Sequence, residues 1–195
     1  MSPADPFPSI VIAAVIATAM CAVLIISLVT LRRPSTPATA VAAALITAAL
    51  VVLIVVPLSS IGPVAGIALT ALGIAAATIG GNPFTRRALD IATGDRVRET
   101  ADGGILIVAK NGAGAESTRT LMRGGTVIGY LERIAAVVAI AVGFPEAIAA
   151  VIAVKGIGRF PELAEPEARE RFIIGTVASL LWAGAIGALI RLSLG

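Results

Sequence analysis

The chain has 195 residues, of which 57% are hydrophobic and only 14% are charged, with a mean hydropathy of +0.99. A soluble domain carries about 25% charged residues, so the composition excludes an ordinary soluble domain and predicts an all-α membrane protein. The net charge of +3 is accompanied by only 4% aromatic residues. The basic stripe and stacking aromatics of a nucleic-acid-binding protein are missing, and we predict no nucleic-acid partner.

Residue usage also limits the chemistry of the chain. There is no histidine and one cysteine, Cys21, which excludes His/Cys zinc sites, Ser-His-Asp and Cys-His catalysis and intrachain disulfides. The segment before Cys21 lacks the basic n-region of a signal peptide, so we expect a retained first helix with Cys21 as a small buried apolar residue. We predict no catalytic residue, no cofactor and no metal.

The first 80 residues predict a three-helix membrane part. Residues 10–31 carry no charge and form roughly 33 Å of helix. From 34 to 85 no residue is charged, a length that suits two spans, which we place at 38–58 and 64–79. Residues typical of a break separate these two spans: Pro57, Ser59, Ser60, Gly62 and Pro63.

Residues 81–125 predict a small polar cytoplasmic loop. Asn82 and Pro83 are typical of an N-cap followed by the first helical residue, and they predict a short basic amphipathic helix over 84–92. The stretch 96–110 has the pattern of a β-hairpin around Asp102-Gly103. Residues 111–117 are rich in Gly and Ala and predict a flexible linker.

Residues 126–195 predict a C-terminal three-helix membrane module. The clear spans are 126–143 and 172–190, and the charged run between 162 and 171 is interpreted as a solvated connector. Residues 146–159 form a shorter segment, whose uncharged part, 147–154, has only eight residues. It predicts a short tilted helix with basic residues that reach the interface; a re-entrant half-helix is the alternative.

The distribution of basic residues predicts the orientation. If six helices alternate, 13 of the 15 Lys and Arg residues fall on one side, Arg133 lies inside the fourth helix and only Arg191 falls on the other side. Because basic loops face the cytoplasm, both termini are predicted outside. Arg outnumbers Lys 13 to 2, which indicates a GC-rich bacterial genome and therefore the bacterial inner membrane.

Small residues recur at helical spacing on the fourth and sixth predicted helices. Such stripes allow close helix packing in lipid, although a chain this rich in Ala and Gly produces some of them by chance. The predicted helix-packing seam consists of Gly125, Gly129, Gly143, Gly175, Ser179, Ala183 and Gly187.

Charges at membrane depth form the candidate buried charge site. Glu132 is the one large residue on the small-residue face of the fourth helix, and a charge there needs a partner or a function. Lys155 and Arg159 lie four residues apart and share one face of the fifth helix. We predict an ion pair between Glu132 and one of these cations. Arg133 points about 100° away from Glu132 and is predicted to reach lipid phosphates.

These residues also belong to an ordered pattern, G-x-x-I-G-x-L-E-R, then A-x-K-x-x-x-R-F, then I-G-T-x-x-S, over 125–195. The pattern resembles a module of uncharacterised bacterial multi-pass membrane proteins that share a domain of unknown function. The resemblance implies that one constellation unites Glu132, Arg133, Lys155, Arg159, Gly175 and Ser179. It implies no activity.

Three functions stay open. The first is a non-catalytic membrane module that scaffolds a partner or binds anionic lipid headgroups at the cytoplasmic leaflet; its partners are membrane lipids, a second copy or another membrane protein. The second is a small permease or channel subunit with Glu132 as its coupling or selectivity charge. The third is an enzyme acting on lipids, which lacks the Asp-rich signature of CDP-alcohol phosphotransferases.

Overall fold

The structure, a computed structural model, describes residues 7–33, 35–56, 61–93, 98–99, 105–110, 116–121, 125–164 and 166–194. Within these residues the chain forms six α-helices, one short 3₁₀ helix and a three-stranded sheet. The helices are α1 (Phe7–Arg32), α2 (Thr36–Val55), α3 (Pro63–Thr93), α4 (Gly125–Ala141), α5 (Ala147–Gly158) and α6 (Pro166–Leu194), and the 3₁₀ helix is Phe160–Ala164.

Four of the described helices, α1, α2, α3 and α6, are long and apolar enough to cross a membrane. Helix α4 has 17 residues and α5 has 12, so both are shorter than the roughly 20 residues of a typical span. In lipid a helix satisfies its own backbone groups, which explains why these apolar segments are helical throughout. The chain is therefore an α-helical membrane protein, with four long apolar helices in the part that the structure describes.

Most helices begin close to the positions predicted from the sequence. Helix α1 begins at residue 7 instead of 10, α2 at 36 instead of 38 and α3 at 63 instead of 64, while α5 covers 147–158 within the predicted 146–159. Helix α6 begins at Pro166, six residues before the predicted 172. Proline is favoured at the first helical position, and most of the predicted charged connector is therefore the start of α6.

The predicted break before Pro83 is wrong. Helix α3 continues from Pro63 to Thr93 with Pro83 inside it, so there is no separate helix over 84–92. Proline removes one helical hydrogen bond, but such a loss is tolerated where neighbouring helices pack around it. Here Phe84 lies against Trp182 of α6 with ring centroids 5.1 Å apart, and the Asn82 side chain binds α4 instead of capping a helix.

The polar region contains a small antiparallel sheet with strand order β1-β2-β3. Strands β1 (Arg98–Glu99) and β2 (Ile105–Lys110) pair as the predicted hairpin does. Strand β3 (Glu116–Leu121) pairs with all of β2, whereas the sequence predicted that 111–117 form a linker. Thr118 and Thr120 alternate in β3, and this β-branched pattern is the signal for the strand.

The core lies where α6 packs against α2, α3 and α4, with α1 packed on α3. Its residues come from every helix except α5, which has no buried residue. The largest are Ile16, Met20, Val23, Ile46, Leu53, Leu69, Val137, Trp182, Ile186, Leu189 and Ile190. Large apolar side chains also cover the outside of the bundle, such as Ile25, Ile54, Ile67 and Leu131. A surface of this kind suits contact with lipid chains.

Glycines let α3 approach α1 and α6. A Cβ at Gly80 would lie 2.5 Å from Cζ2 of Trp182 and 2.7 Å from Oγ of Ser27. The indole nitrogen of Trp182 donates to the carbonyl of Ala76 at 3.3 Å. Trp182 therefore fits flat against α3 only because residue 80 has no side chain.

The small residues predicted to form a packing seam on α6 contact neighbouring helices. Gly175 faces Thr85 and Leu89 of α3, and a Cβ at Gly187 would lie 3.1 Å from Ile140 of α4. Ala183 is fully buried. The small residues of α6 thus meet two different helices at different heights.

Two predictions about small residues are wrong. Gly143, predicted in the packing seam, is exposed in the turn after α4 and has φ +77. Glycine adopts this left-handed conformation without strain, so its place is to end α4. Cys21, predicted buried, is exposed on α1.

Candidate functional site

Arg133 is the centre of a polar cluster between α3, α4 and α6. It is only 2% exposed, and each of its three nitrogens donates a hydrogen bond. Nε donates to the carbonyl of Thr78 at 3.2 Å, Nη1 to Oγ of Ser179 at 3.1 Å and Nη2 to Oδ1 of Asn82 at 2.6 Å. These four residues, with Tyr130, are called the Arg133 cluster below.

Tyr130 completes the cluster one turn before Arg133 on α4. The Asn82 amide donates to the Tyr130 hydroxyl at 3.2 Å, so one amide bridges two residues of α4. The Arg133 guanidinium lies 5.4 Å from the centroid of the Tyr130 ring, within the range of a cation–π contact. The ring and the amide hold the guanidinium from two sides.

Two glycines make room for Arg133. A Cβ at Gly81 of α3 would collide with Cδ of Arg133 and lie 2.5 Å from its Nε. On α4 itself, a Cβ at Gly129 would lie 3.4 Å from Nη1. The side chain therefore follows a groove that Gly81 and Gly129 leave open, directed toward the start of α4.

The partners of the Arg133 guanidinium are all neutral. Among the described residues it forms no ion pair with a carboxylate. A buried charge is costly unless it is hydrogen-bonded, and here a carbonyl, a hydroxyl and an amide oxygen share that task. The cluster is thus a three-helix cross-link built on one retained positive charge.

This geometry contradicts the prediction that Arg133 reaches lipid phosphates. Arg133 does point away from Glu132, but α3 and α6 cover that side of α4. The sequence analysis also missed Thr78, Asn82 and Tyr130 as its neighbours. A usable signal was the glycine pair at 80–81 directly before Asn82, because small residues mark where another side chain can enter.

Glu132 forms the predicted ion pair. Oε2 of Glu132 lies 2.6 Å from Nζ of Lys155, with both side chains largely buried. Lys155 also lies 5.7 Å from the centroid of the Phe172 ring of α6. The pair therefore connects α5 to α4 at the start of α6.

The second carboxylate oxygen of Glu132 does not take part in this ion pair. Oε1 is buried and has no hydrogen-bond partner among the described residues. Arg159, the other predicted cation, follows α5 directly and is buried as well. The predicted charge site is thus split into two parts: Glu132 with Lys155 on one face of α4, and Arg133 on the other.

Four further arginines lie at one end of the bundle. Arg32 and Arg33 are exposed at the end of α1, and Arg86 and Arg87 are half-buried on α3. Leu31 and Arg86 line the same cleft, which places the two pairs close together. These four residues are called the basic end below.

No protein-family model, no curated protein and no solved structure matches this chain. The resemblance of residues 125–195 to a module of bacterial membrane proteins therefore stays a prediction. What the chain does must be inferred from its own residues.

Proposed function

We propose that this protein is a non-catalytic module of the bacterial inner membrane that binds anionic lipid headgroups at the cytoplasmic leaflet. The proposal depends on one observation: four arginines lie close together at the basic end, namely Arg32, Arg33, Arg86 and Arg87. Each basic residue near an anionic leaflet contributes about 1 kcal/mol of attraction. The opposite end of α6 carries one basic residue, Arg191.

The proposal places six passes in the membrane, with the basic end in the cytoplasm and both termini outside. Its support is the asymmetry of Lys and Arg along the chain. The turn after α4 comes close to the far end of α6, because a Cβ at Gly143 would lie 3.9 Å from Nε of Arg191. Helix α5 returns from that turn to Lys155, which pairs with Glu132.

The buried charges support a scaffold. Arg133 and Lys155 were candidates for headgroup contacts, but each has partners within the protein. In this proposal they hold α3, α4, α5 and α6 together. The basic end, and not the centre of the bundle, is what the protein presents to lipid.

The test is lipid selection by the purified full-length protein. Reconstituted in nanodiscs of mixed phosphatidylglycerol and phosphatidylcholine, the protein is expected to retain phosphatidylglycerol on native mass spectrometry. Replacing all four arginines of the basic end by Gln should remove this preference, while Arg191→Gln at the opposite end should keep it. Equal retention of both lipids by the unaltered protein would contradict the proposal.

A second candidate function is a small permease or channel subunit that uses Glu132. The observation in its favour is the buried Oε1 of Glu132, which has no partner among the described residues. A transport site predicts that Glu132→Gln abolishes flux in proteoliposomes. A scaffold predicts that the unaltered protein gives no flux to abolish.

A further inference from the structure

A polar cleft lies at the basic end where three helices meet. It is formed by the end of α1, the start of α2 and the part of α3 that follows Pro83, and its volume is about 150 Å³. A water molecule occupies about 30 Å³, so the cleft has room for a phosphate group with a small substituent. Its lining residues are Thr30, Leu31, Ser35, Thr36, Thr39, Pro83, Arg86, Arg87 and Asp90.

Arg87 lines this cleft and has one hydrogen-bond donor without a partner among the described residues. Its Nη1 lies 3.9 Å from Oδ2 of Asp90, which is longer than a hydrogen bond. Its Nε is buried and has no partner among the described residues. This is the opposite of Arg133, where every nitrogen donates a hydrogen bond.

The start of α2 adds donors to the same cleft. Ser35 precedes the helix in an extended conformation, and its side chain makes no capping hydrogen bond. The N–H group of Thr36 has no acceptor within the helix, since it belongs to the first turn. Thr36 itself lines the cleft. These groups favour an anion beside the two arginines.

The charge of the lining indicates which anion fits. Two arginines and one aspartate give it a net charge of about +1, which matches the single negative charge of a phosphodiester. Arg32 and Arg33 next to the cleft would repel a cationic headgroup substituent. Leu28 and Val29, which precede Thr30 and Leu31 on α1, are exposed and apolar, so an apolar surface for lipid chains lies near the cleft.

We propose that the α1–α2–α3 cleft binds the phosphodiester of one anionic glycerophospholipid. The inference deepens the proposed function and rests on it, because it replaces a diffuse attraction to the leaflet by one defined site. Arg86 and Arg87 bind the phosphate oxygens as charged forks. Thr36 and the start of α2 bind from the other side. A free phosphate ester offers the same chemistry, so the test must separate the two sources.

The experiment titrates the delipidated full-length protein in detergent and follows bound mass by native mass spectrometry. The probes are phosphatidylglycerol, phosphatidylcholine, glycerol 3-phosphate and inorganic phosphate. We expect one tightly bound phosphatidylglycerol and at least tenfold weaker binding of each other probe. Equal binding of glycerol 3-phosphate would overturn the lipid as occupant.

Two charge-matched double variants locate the site. Arg86→Gln with Arg87→Gln removes two charges from the cleft, and Arg32→Gln with Arg33→Gln removes two exposed charges outside its lining. We expect the cleft variant to weaken phosphatidylglycerol binding at least tenfold and the outer variant less than threefold. Equal weakening overturns the cleft while leaving the proposed function intact. If the unaltered protein shows no preference for phosphatidylglycerol, the proposed function fails as well.

A third variant keeps the charge unchanged. Thr36→Val removes one hydroxyl from the cleft and should weaken binding about threefold to tenfold without altering the salt dependence. It also covers the case in which the double arginine variant does not fold. Unchanged affinity in Thr36→Val, together with unchanged affinity in the folded Arg87→Lys variant, would contradict a defined site.

Discussion

Arg133 and Arg87 lie on neighbouring helices, α4 and α3, and differ in what surrounds each guanidinium. Arg133 is buried beside Gly81 and Gly129, and each of its nitrogens donates a hydrogen bond. The Arg87 side chain is 37% exposed, and its one ion pair is 3.9 Å long. Hydropathy and sequence position therefore do not distinguish an arginine whose donors the protein satisfies from one that keeps a donor without a partner among the described residues.

Neighbouring glycines explain why Arg133 is buried between helices. The groove for Arg133 exists because two residues on facing helices have no side chain. Arg87 instead lines a polar cleft at the end of the bundle. A buried arginine with protein partners stabilises the fold, whereas an arginine with unused donors is available to an anion.

The largest expected effect comes from closing the groove. Gly81→Ala places a methyl group on the Arg133 side chain, which must then leave its three acceptors. We expect a loss of about 3 kcal/mol in the free energy of unfolding, at the upper end of ordinary overpacking. Thermal unfolding in one detergent measures the loss.

Gly156→Ala is the matched control for this prediction. Nothing lies within 4 Å of a Cβ at Gly156, which is also helical, so alanine should be neutral or stabilise α5 by up to about 1 kcal/mol. A similar loss in both variants would mean that the groove at Gly81 is not what holds Arg133.

A smaller effect is expected at the ion pair on the other face of α4. Glu132→Gln leaves Lys155 without its carboxylate, and its side chain is only 16% exposed. We expect a loss of roughly 1–2 kcal/mol, because a partly buried cation loses its partner. The double variant Glu132→Gln with Lys155→Met should recover part of this loss, since both charges are gone.

A thermal-melt cycle of the two single variants and the double variant measures the coupling. Additive losses would show that the pair contributes nothing to stability. A gain in stability in Glu132→Gln, with loss of flux in proteoliposomes, would favour the transport function. In that case relief from burying a carboxylate outweighs one lost contact.

The membrane helices could be predicted from the sequence because their signal is one-dimensional. An uncharged run such as 10–31 has to be helical in lipid, and its length can be read directly from the sequence. Glu132 and Lys155 were also predictable, since Glu132 lies on a face of small residues and Lys155 follows an uncharged run on the next helix. Such features depend only on neighbours along the chain.

The errors arose where tertiary contacts decide. Asn82-Pro83 is a good helix start by local rules, yet Asn82 binds Tyr130 and α3 continues through Pro83. Arg133 was assigned to lipid because the direction of its side chain was known but the helix covering that side was not. No local pattern specifies that α3 and α6 meet α4 there.

The smallest expected effect on stability is that of replacing Arg87 at the basic end. Comparing it with the same replacement of Arg133 separates the two arginines most clearly. Arg87→Gln removes a guanidinium that makes no described hydrogen bond within the protein. We expect the delipidated protein to change by less than about 0.5 kcal/mol, as for a weak surface ion pair. The same substitution at Arg133 should cost about 1–3 kcal/mol, because three acceptors lose their donor.

Added lipid reduces the difference in stability between these two variants. At 100 times its dissociation constant, a ligand of the folded state stabilises it by about 2.7 kcal/mol. We therefore expect phosphatidylglycerol to raise the melting temperature of the unaltered protein and of Arg133→Gln fully. It should stabilise Arg87→Gln by only about half as much, since a tenfold weaker affinity leaves the lipid at about 10 times its dissociation constant. A full lipid response in Arg87→Gln would mean that its donors are not used by lipid. A loss in the delipidated Arg87→Gln protein as large as that in Arg133→Gln would mean that both arginines are structural.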